Sequence, residues 1–205
     1  MEDQWLAWTK RLQAIASTGM NYCRDDFDRE RYQELALIAH SMLSALGDVP
    51  LERIIELVPD FAKGYATPKI DVRGAIIESG RILLVREKSD GLWTLPGGYA
   101  DIGLSPAENL VKEVWEEAGL RVAPAGLIAV RHKAKHAYVQ DMHDSYKLFF
   151  LCRRVDSAEP APGPETTEVG FFDRNGIPPL SRRRTIERDI EAAFAFHAGV
   201  APAVD

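Results

Sequence analysis

Three glutamates stand close together in one short stretch of the sequence: Glu113, Glu116 and Glu117. Residues at positions i, i+3 and i+4 share one face of an α-helix, so these carboxylates would be neighbours. Their repulsion costs an isolated helix a few tenths of a kcal/mol per pair. A hard divalent cation would remove this cost, because Mg²⁺ and Mn²⁺ prefer oxygen ligands and commonly bridge carboxylates to substrate phosphates. The spacing therefore predicts a magnesium site, with Mn²⁺ as a substitute.

The surrounding residues predict the helix that presents these glutamates. Ser105 stands at the N-cap position, Pro106 follows at the first helical position, and Glu108 comes three residues after the cap, which is a capping box. Gly119 supplies the C-terminal stop. The helix is therefore predicted over residues 106–118. Its apolar stripe, which can pack on a sheet, comprises Ala107, Leu110, Val111, Val114 and Ala118.

A short predicted strand, residues 92–95, delivers Pro96, Gly97 and Gly98 to the start of this segment. A turn without side chains lets backbone groups approach a ligand or a metal closely. Taken alone, the acidic run is as readily a solvated helix face, because short motifs match by chance. The glycine pair and the capped helix in register with it favour the metal site.

The segment from Gly98 to Leu120 resembles the Nudix box, whose pattern is G-x5-E-x7-R-E-U-x-E-E-x-G-U, with U a bulky apolar residue. Two positions depart from it: Leu104 stands where the first glutamate belongs, and Lys112 replaces the arginine. In the family, that glutamate and arginine help to organise the loop and orient the metal-binding glutamates. Lysine keeps the charge but lacks the planar fork of arginine, and Asp101 is a candidate partner for it. The matching residues are Gly98, Glu113, Val114, Glu116, Glu117, Gly119 and Leu120.

The resemblance implies a Mg²⁺-dependent pyrophosphohydrolase acting on a nucleoside diphosphate linked to another group, X. CDP-choline and ADP-ribose are both compatible substrates, and the products would be a nucleoside monophosphate and phosphorylated X. The implied metal ligands are Glu113, Glu116, Glu117 and the main-chain carbonyl of Gly98. Glu116 and Glu117 are also the implied catalytic residues, with Glu168 as general base. The alternative is a catalytically weak Nudix-fold module that binds nucleotides or regulates.

Residues outside the box complete the predicted site. Glu165 and Glu168 lie in a predicted loop just before a strand, where the family often places a base; Glu168 is preferred because it abuts the strand. The alternative for both is a solvated loop. A basic segment, residues 131–136, is a candidate for holding the distal phosphate or X, or else a solvated hairpin loop. The predicted substrate contacts are Gly97, Lys112, Arg131, His132 and Lys147.

The composition agrees with a compact soluble enzyme. A chain of 205 residues can bury one full core and leave room for a small extra module. Its net charge of −6 argues against nucleic-acid binding and against a membrane surface as partner. Two cysteines are too few for a disulfide framework. With no apparent signal peptide or membrane span, the predicted compartment is the cytoplasm.

The periodicity of apolar residues changes near residues 63–69, which predicts two domains. Residues 1–66 are predicted as an all-α domain with helices at about 3–18, 27–46 and 50–58. This part resembles the N-terminal extension of a Nudix subfamily that includes CDP-choline and ADP-ribose pyrophosphatases. Members of that subfamily tend to dimerise, so a homodimer is implied. Trp5 and Trp8 would then lie in its interface or, alternatively, pack between the helices.

Residues 70–198 are predicted to form the Nudix domain, an α/β/α sandwich with a mixed sheet. Around the box helix, strands are predicted at 70–78, 81–87, about 121–133, 145–155 and 169–173. The remaining predictions are an exposed loop at 157–165, a final helix at about 182–198 and a plain tail at 199–205.

Overall fold

The structure, a computed structural model, describes residues 3–57 and 65–205. It divides into two compact units. The first comprises Met1–Pro68 and the short segment Asp141–Asp144, and the second comprises Lys69–Gln140 and Ser145–Asp205. The predicted boundaries, 1–66 and 70–198, stay a prediction, and they do not anticipate that Asp141–Asp144 groups with the first unit.

The first unit contains three helices, α1 Gln4–Tyr22, α2 Asp26–Gly47 and α3 Leu51–Leu57. The side chain of Asp3 caps α1 and that of Asp25 caps α2 by accepting main-chain hydrogen bonds in the first turn. The predicted end of the first helix, at about residue 18, is wrong, because α1 continues to Tyr22. Gly19 lies within this helix, and a Cβ on it would lie 2.3 Å from Cε1 of Tyr32, so this glycine allows close packing of α2. The end of the third predicted helix, residue 58, lies outside the described residues.

The α1–α2 pair buries small and polar side chains and exposes large apolar ones. Ala16, Ser17 and Ala39 are fully buried, which lets the two helix backbones approach closely. In contrast, about half of the surface of Trp5 and of Trp8 is exposed, and their rings contact each other edge to face. This distribution leaves a large apolar stripe on the surface of the unit.

The second unit is built on a seven-stranded mixed sheet. The strands are β1 Lys69–Glu78, β2 Arg81–Glu87, β3 Trp93–Thr94, β4 Val122–His132, β5 Ser145–Arg154, β6 Thr166–Asp173 and β7 Ala203–Val204. Their order is β3-β2-β1-β5-β4-β7, with β6 paired to β2. Strand β1 runs parallel to β5 and antiparallel to β2, while β4 is antiparallel to β5.

One helix covers each face of this sheet, α4 Pro106–Ala118 on one side and α5 Glu187–His197 on the other. The core under α4 contains Val72 and Ile76 of β1 with Leu110 and Val114 of the helix. The core under α5 contains Ala75 of the same strand, because successive side chains of a strand point to opposite faces. The predicted α/β/α sandwich with a mixed sheet is therefore confirmed.

The predicted last helix and the predicted tail of this unit both differ from the structure. The last helix begins at Glu187 rather than 182, because Asp189 accepts a hydrogen bond from the N–H of Ile186 and fixes the start there. The tail is not plain: Ala203–Val204 forms β7 beside β4. The carboxylate of Asp205 then accepts the N–H of His132 at 2.8 Å. Within the described residues, no helix is long and apolar enough to cross a membrane.

Candidate active site

The helix that carries the three glutamates has the predicted bounds. Oγ of Ser105 accepts the N–H of Glu108 at 3.2 Å, and Oε2 of Glu108 accepts the N–H of Ser105 at 2.8 Å, which completes the capping box. Gly119 ends the helix with φ +66°, in the left-handed region. The apolar stripe packs closely on β1, where a Cβ on Gly74 would lie 3.1 Å from Leu110. This packing fixes the helix relative to the sheet.

The glycine pair lies against the helix, and the two glycines meet different neighbours. Gly97 has φ +140°, and a Cβ there would lie 2.0 Å from the carbonyl oxygen of Val72. Its N–H donates to Oε2 of Glu117 at 2.8 Å, so this N–H, predicted to contact substrate, is engaged within the protein. A Cβ on Gly98 would lie 2.8 Å from Oε2 of Glu113. The pair therefore brings two box glutamates against bare backbone.

The carbonyl of Gly98, predicted as a metal ligand, accepts a hydrogen bond from the N–H of Val72 at 2.8 Å. A carbonyl oxygen has two lone pairs. The hydrogen bond from Val72 therefore does not contradict the predicted ligand role, which stays a prediction.

The carboxylates of Glu113 and Glu117 are withdrawn from water and crowded by other acids. The pKa of Glu117 is raised to about 7, chiefly by burial and also by the charges of Glu87 and Glu113, against the opposing effects of Arg73 and of the hydrogen bond from Gly97. Burial also raises the pKa of Glu113, to which the charges of Glu116 and Glu165 add. Desolvation and like charges both disfavour the ionised form. A bound cation would reverse this balance.

The donor set fits a hard divalent cation, because carboxylate and main-chain oxygens are the ligands that Mg²⁺ and Mn²⁺ prefer. Both carboxylates lie at the glycine turn: Glu117 accepts the N–H of Gly97, and Glu113 lies close to where a Cβ on Gly98 would be. Across residues 3–57 and 65–205, however, no three His, Cys, Asp or Glu side chains form a ready-made metal-binding group. The residues present therefore fit the cation in chemistry, without a complete cage of side chains.

Glu116 lies on the outer side of this group and is held by Lys112. Nζ of Lys112 is 3.2 Å from Oε2 of Glu116 and 3.0 Å from Oδ2 of Asp101. The suggested pairing of Asp101 with Lys112 is thus present in the structure. The charge of Lys112, predicted to contact substrate, is shared between two carboxylates, both about half exposed.

A buried ion network lies beneath the glycine turn, and two of its members escaped the sequence analysis. The carboxylate of Asp71 contacts Nε of Arg73 at 2.9 Å and Nζ of Lys147 at 2.8 Å. Arg73 also donates to the carbonyl of Leu95 at 3.1 Å, just before the turn. The signal was available in β1, where Asp71 and Arg73 interrupt an apolar strand at alternate positions.

The predicted substrate contacts Lys147 and Arg131 are internal. Lys147 is 1% exposed and Arg131 is 3% exposed, and Nη1 of Arg131 lies 2.9 Å from Oδ1 of Asp189. His132 stacks its ring edge to face with Tyr146 at 5.5 Å. The solvated-hairpin alternative for this basic segment is wrong for its buried members, which are Arg131, Lys133 and His136.

The two candidate bases lie in different surroundings. Strand β6 begins at Thr166, so Glu168 lies within the strand rather than in a loop, and its Oε1 is 2.5 Å from Nη1 of Arg86. Glu165 precedes the strand, and its charge contributes to raising the pKa of both Glu113 and Glu87. Of the two candidate bases, Glu165 is therefore the one whose charge acts on a box glutamate.

The loop before Glu165 is fastened to the end of α4 by contacts that the sequence analysis missed. The N–H of Ala161 donates to the carbonyl of Ala118 at 3.0 Å. Oγ1 of Thr166 donates to the carbonyl of Glu117 at 2.8 Å. A Cβ on Gly163 would lie 1.5 Å from the carbonyl oxygen of Glu116. Only a residue without a side chain fits there.

Comparison with known proteins agrees with this geometry. Residues 68–194 match the family profile for the NUDIX domain, and residues 3–58 match the profile for a UDP-X-like, N-terminal oligomerisation domain. The chain is 41% identical over 196 residues to a putative ADP-ribose pyrophosphatase of Bacillus subtilis (strain 168), covering 96% of this chain and 93% of that one.

Solved structures extend the similarity to both units. A crystal structure of UDP-X diphosphatase is 31% identical, covers 98% of each chain and superposes with a TM-score of 0.64. A crystal structure of an ADP-ribose pyrophosphatase from Streptococcus suis 89-1591 is 34% identical, covers 68% of this chain and all of that chain, and has a TM-score of 0.59. The chain therefore belongs to the Nudix hydrolase family.

Proposed function

We propose that the chain is a Mg²⁺-dependent pyrophosphohydrolase that cleaves a nucleoside diphosphate linked to X. The observation that carries this proposal is the placement of Glu113 and Glu117 against the bare Gly97–Gly98 backbone, partly desolvated and crowded by like charges. Such an arrangement is costly without a cation. Water would attack one phosphorus, the bridging P–O bond would break, and a nucleoside monophosphate and phosphorylated X would leave.

The residues of the chain would position the cation and the substrate, and they would form no covalent intermediate with the substrate. Glu113, Glu116 and Glu117 would hold the cation, and Lys112 contacts Oε2 of Glu116 from the outer side. When bound, the cation neutralises the diphosphate and makes a water more acidic. The hydrogen bond from Gly97 orients the carboxylate of Glu117.

Glu165 is the better-placed general base, although Glu168 is the one that sequence analysis favours. The charge of Glu165 acts on Glu113, whereas Glu168 is paired with Arg86. General-base catalysis contributes about 10²–10⁴-fold to rate. Glu165→Gln is therefore expected to lower kcat by that range and Glu168→Gln by much less; the reverse order would restore Glu168 as the base.

Arg131 and Lys147 are proposed to act from beneath the site rather than as surface contacts for X, because both are buried and paired with carboxylates. The names of similar proteins favour some substrates over others, because they specify ADP-ribose and UDP-X. We therefore rank ADP-ribose and UDP-linked compounds ahead of CDP-choline as substrates.

The decisive experiment is phosphate release in a coupled phosphatase assay. ADP-ribose, UDP-sugars, CDP-choline and nucleoside triphosphates would be offered with and without Mg²⁺ or Mn²⁺, to the protein and to Glu117→Gln. Turnover that needs the cation and is lost in the variant is the expected result. Absence of turnover across the panel in folded protein would overturn the proposal and favour a nucleotide-binding module.

A further inference from the structure

The loop of residues 99–105 connects the glycine turn to α4 without either residue that the family pattern uses to organise it. Leu104 occupies the position of the glutamate, is 41% exposed and has an apolar side chain. Lys112 occupies the position of the arginine and presents a single ammonium group. The chain must therefore hold this loop by other contacts.

Asn109 holds the loop from within α4. Its side chain is fully buried, and its Oδ1 accepts the N–H of Asp101 at 2.8 Å. Its Nδ2 donates toward the carbonyls of Asp101 and Leu104, each at 3.3 Å, and of Ser105 at 3.2 Å. A side-chain amide is both donor and acceptor, so one buried residue hydrogen-bonds the middle of the loop at Asp101 and its end at Leu104 and Ser105.

Lys112 links the loop to one of the box glutamates, Glu116. Its Nζ bridges Oδ2 of Asp101 and Oε2 of Glu116 at 3.0 and 3.2 Å. The three side chains are 40–57% exposed, so the bridge adds little to folding stability. Its consequence is geometric: Asp101 is anchored through its backbone by Asn109, and through Lys112 it sets the orientation of Glu116.

The geometry points to Asp101, Asn109 and Lys112 as positioning residues that replace the glutamate and arginine of the family pattern. They fix the loop and orient Glu116, without themselves touching the reacting atoms. This inference rests on the proposed function only through the role of Glu116 as a metal ligand. The fixing of the loop by Asn109 is independent of any activity.

The loop is tested in metal-free protein by amide hydrogen exchange at Asp101, whose N–H is bonded to the Asn109 side chain. Asn109→Ala is expected to raise the exchange rate at this amide at least about tenfold. Because a buried amide is removed, Asn109→Ser serves as a second, milder variant and is expected to give an intermediate rate. Unchanged exchange in both variants would overturn this step.

The orientation of Glu116 is tested by Mn²⁺ binding measured calorimetrically, in the absence of substrate. Asp101→Asn and Lys112→Met are each expected to weaken binding by about three- to tenfold, and the double variant by no more than either alone, because residues acting as one unit are not additive. Lys112→Arg should restore most of the affinity. Fully additive losses, or no loss, would overturn the inference.

The matched control is Arg182→Met, which breaks another exposed ion pair, Arg182 with Glu187 at 2.9 Å. Its Mn²⁺ binding is expected to equal that of the unaltered protein, and its Tm to change as little as that of Lys112→Met. If Mn²⁺ binds with this pattern but no substrate is cleaved, the proposed hydrolysis fails and the inference stands. If the unaltered protein binds no Mn²⁺, the orientation step fails, while amide exchange still decides the role of Asn109.

Discussion

The main-chain N–H of Gly97 donates a hydrogen bond to Oε2 of Glu117 over 2.8 Å. This bond joins the glycine turn to the last turn of α4 and holds a carboxylate that is only 5% exposed. The turn can reach the carboxylate because Gly97 adopts φ +140° and carries no Cβ against Val72. The position of Glu117 thus depends on a backbone conformation that other residues rarely adopt.

Gly97→Ala is therefore expected to lower the free energy of unfolding by about 2–6 kcal/mol. Backbone strain contributes about 1–3 kcal/mol, and the forced displacement of Val72 a further ~1–3 kcal/mol. Urea denaturation measures the loss. The matched control is Gly103→Ala, with φ +93° and nothing within 4 Å of the new Cβ, which should lose only the strain. Equal losses in both variants would mean that the contact with Val72 is unimportant.

The buried ammonium of Lys147 should make stability depend on pH in the alkaline range. Burial lowers its pKa from 10.5 to about 8, despite the opposing charge of Asp71. Between these values the unfolded chain binds more protons than the folded one, so stability from this group rises with pH from about 8 to about 10.5. The gap corresponds to about 3 kcal/mol, at about 1.4 kcal/mol per pH unit.

Denaturation of the unaltered protein and of Lys147→Met across pH 7–11 checks this expectation. As pH rises above about 8, the free energy of unfolding of the unaltered protein should increase relative to that of Lys147→Met. A pH-independent difference between the two proteins at alkaline pH would contradict the prediction for Lys147.

Asp71 should make stability depend on pH in the acidic range. Burial would raise its pKa, but Arg73 and Lys147 lower it to about 2. The stability that this carboxylate contributes should be present above about pH 3.8 and lost as pH falls toward 2.

The box helix could be predicted to the residue because its signals are local. Ser105, Pro106, Glu108 and Gly119 specify the two ends by contacts within a few residues of the chain. The glycine pair and the glutamates follow in register, and the strands of the second unit follow from their apolar patterns. Sequence patterns therefore sufficed for the fold and for the position of the acidic group.

The pairing of the buried charges beneath the site could not be predicted, because it depends on strand register, although Asp71 and Arg73 stand out in the sequence of β1. Asp71 and Lys147 are paired residues of adjacent parallel strands, and nothing in either segment specifies that pairing. The prediction that Lys147 and Arg131 contact the substrate requires them to be exposed, but both are buried. Their partners, Asp71 and Asp189, come from distant parts of the chain, so the sequence near each residue does not indicate its burial. The two-residue strand β7 carries no periodic signal at all.

Gly163 offers a test of how the loop before Glu165 is seated on α4. A Cβ at this position would overlap the carbonyl oxygen of Glu116 at 1.5 Å, so Gly163→Ala must displace the loop. We expect unfolding to become easier by about 1–3 kcal/mol, and kcat to fall because Glu165 and the end of α4 separate. Gly176→Ala is the control, with its nearest neighbour at an ordinary 3.8 Å. Similar kcat values for the two variants would contradict a role for this contact in the site.

The apolar stripe of α1 offers a test of self-association. Trp8, Ile15 and Tyr22 recur every seven residues and are 42–64% exposed, so they form one continuous face, beside Trp5. This unit matches an oligomerisation domain, and we propose that the stripe forms the interface of a homodimer. Large aromatic side chains at the centre of an interface often contribute 2 kcal/mol or more each.

Trp8→Glu is therefore expected to convert a dimer to a monomer in sedimentation velocity, since burying an unpaired carboxylate against a second copy is strongly unfavourable. Val200→Glu is the control, because it places the same charge at an exposed apolar position of the second unit, and it should leave the dimer intact. Circular dichroism on Trp8→Glu must show retained helix, as expected for a side chain that already faces solvent in the single chain. An unaltered protein that sediments as a monomer would contradict the homodimer, and a Trp8→Glu variant that stays dimeric would place the interface elsewhere.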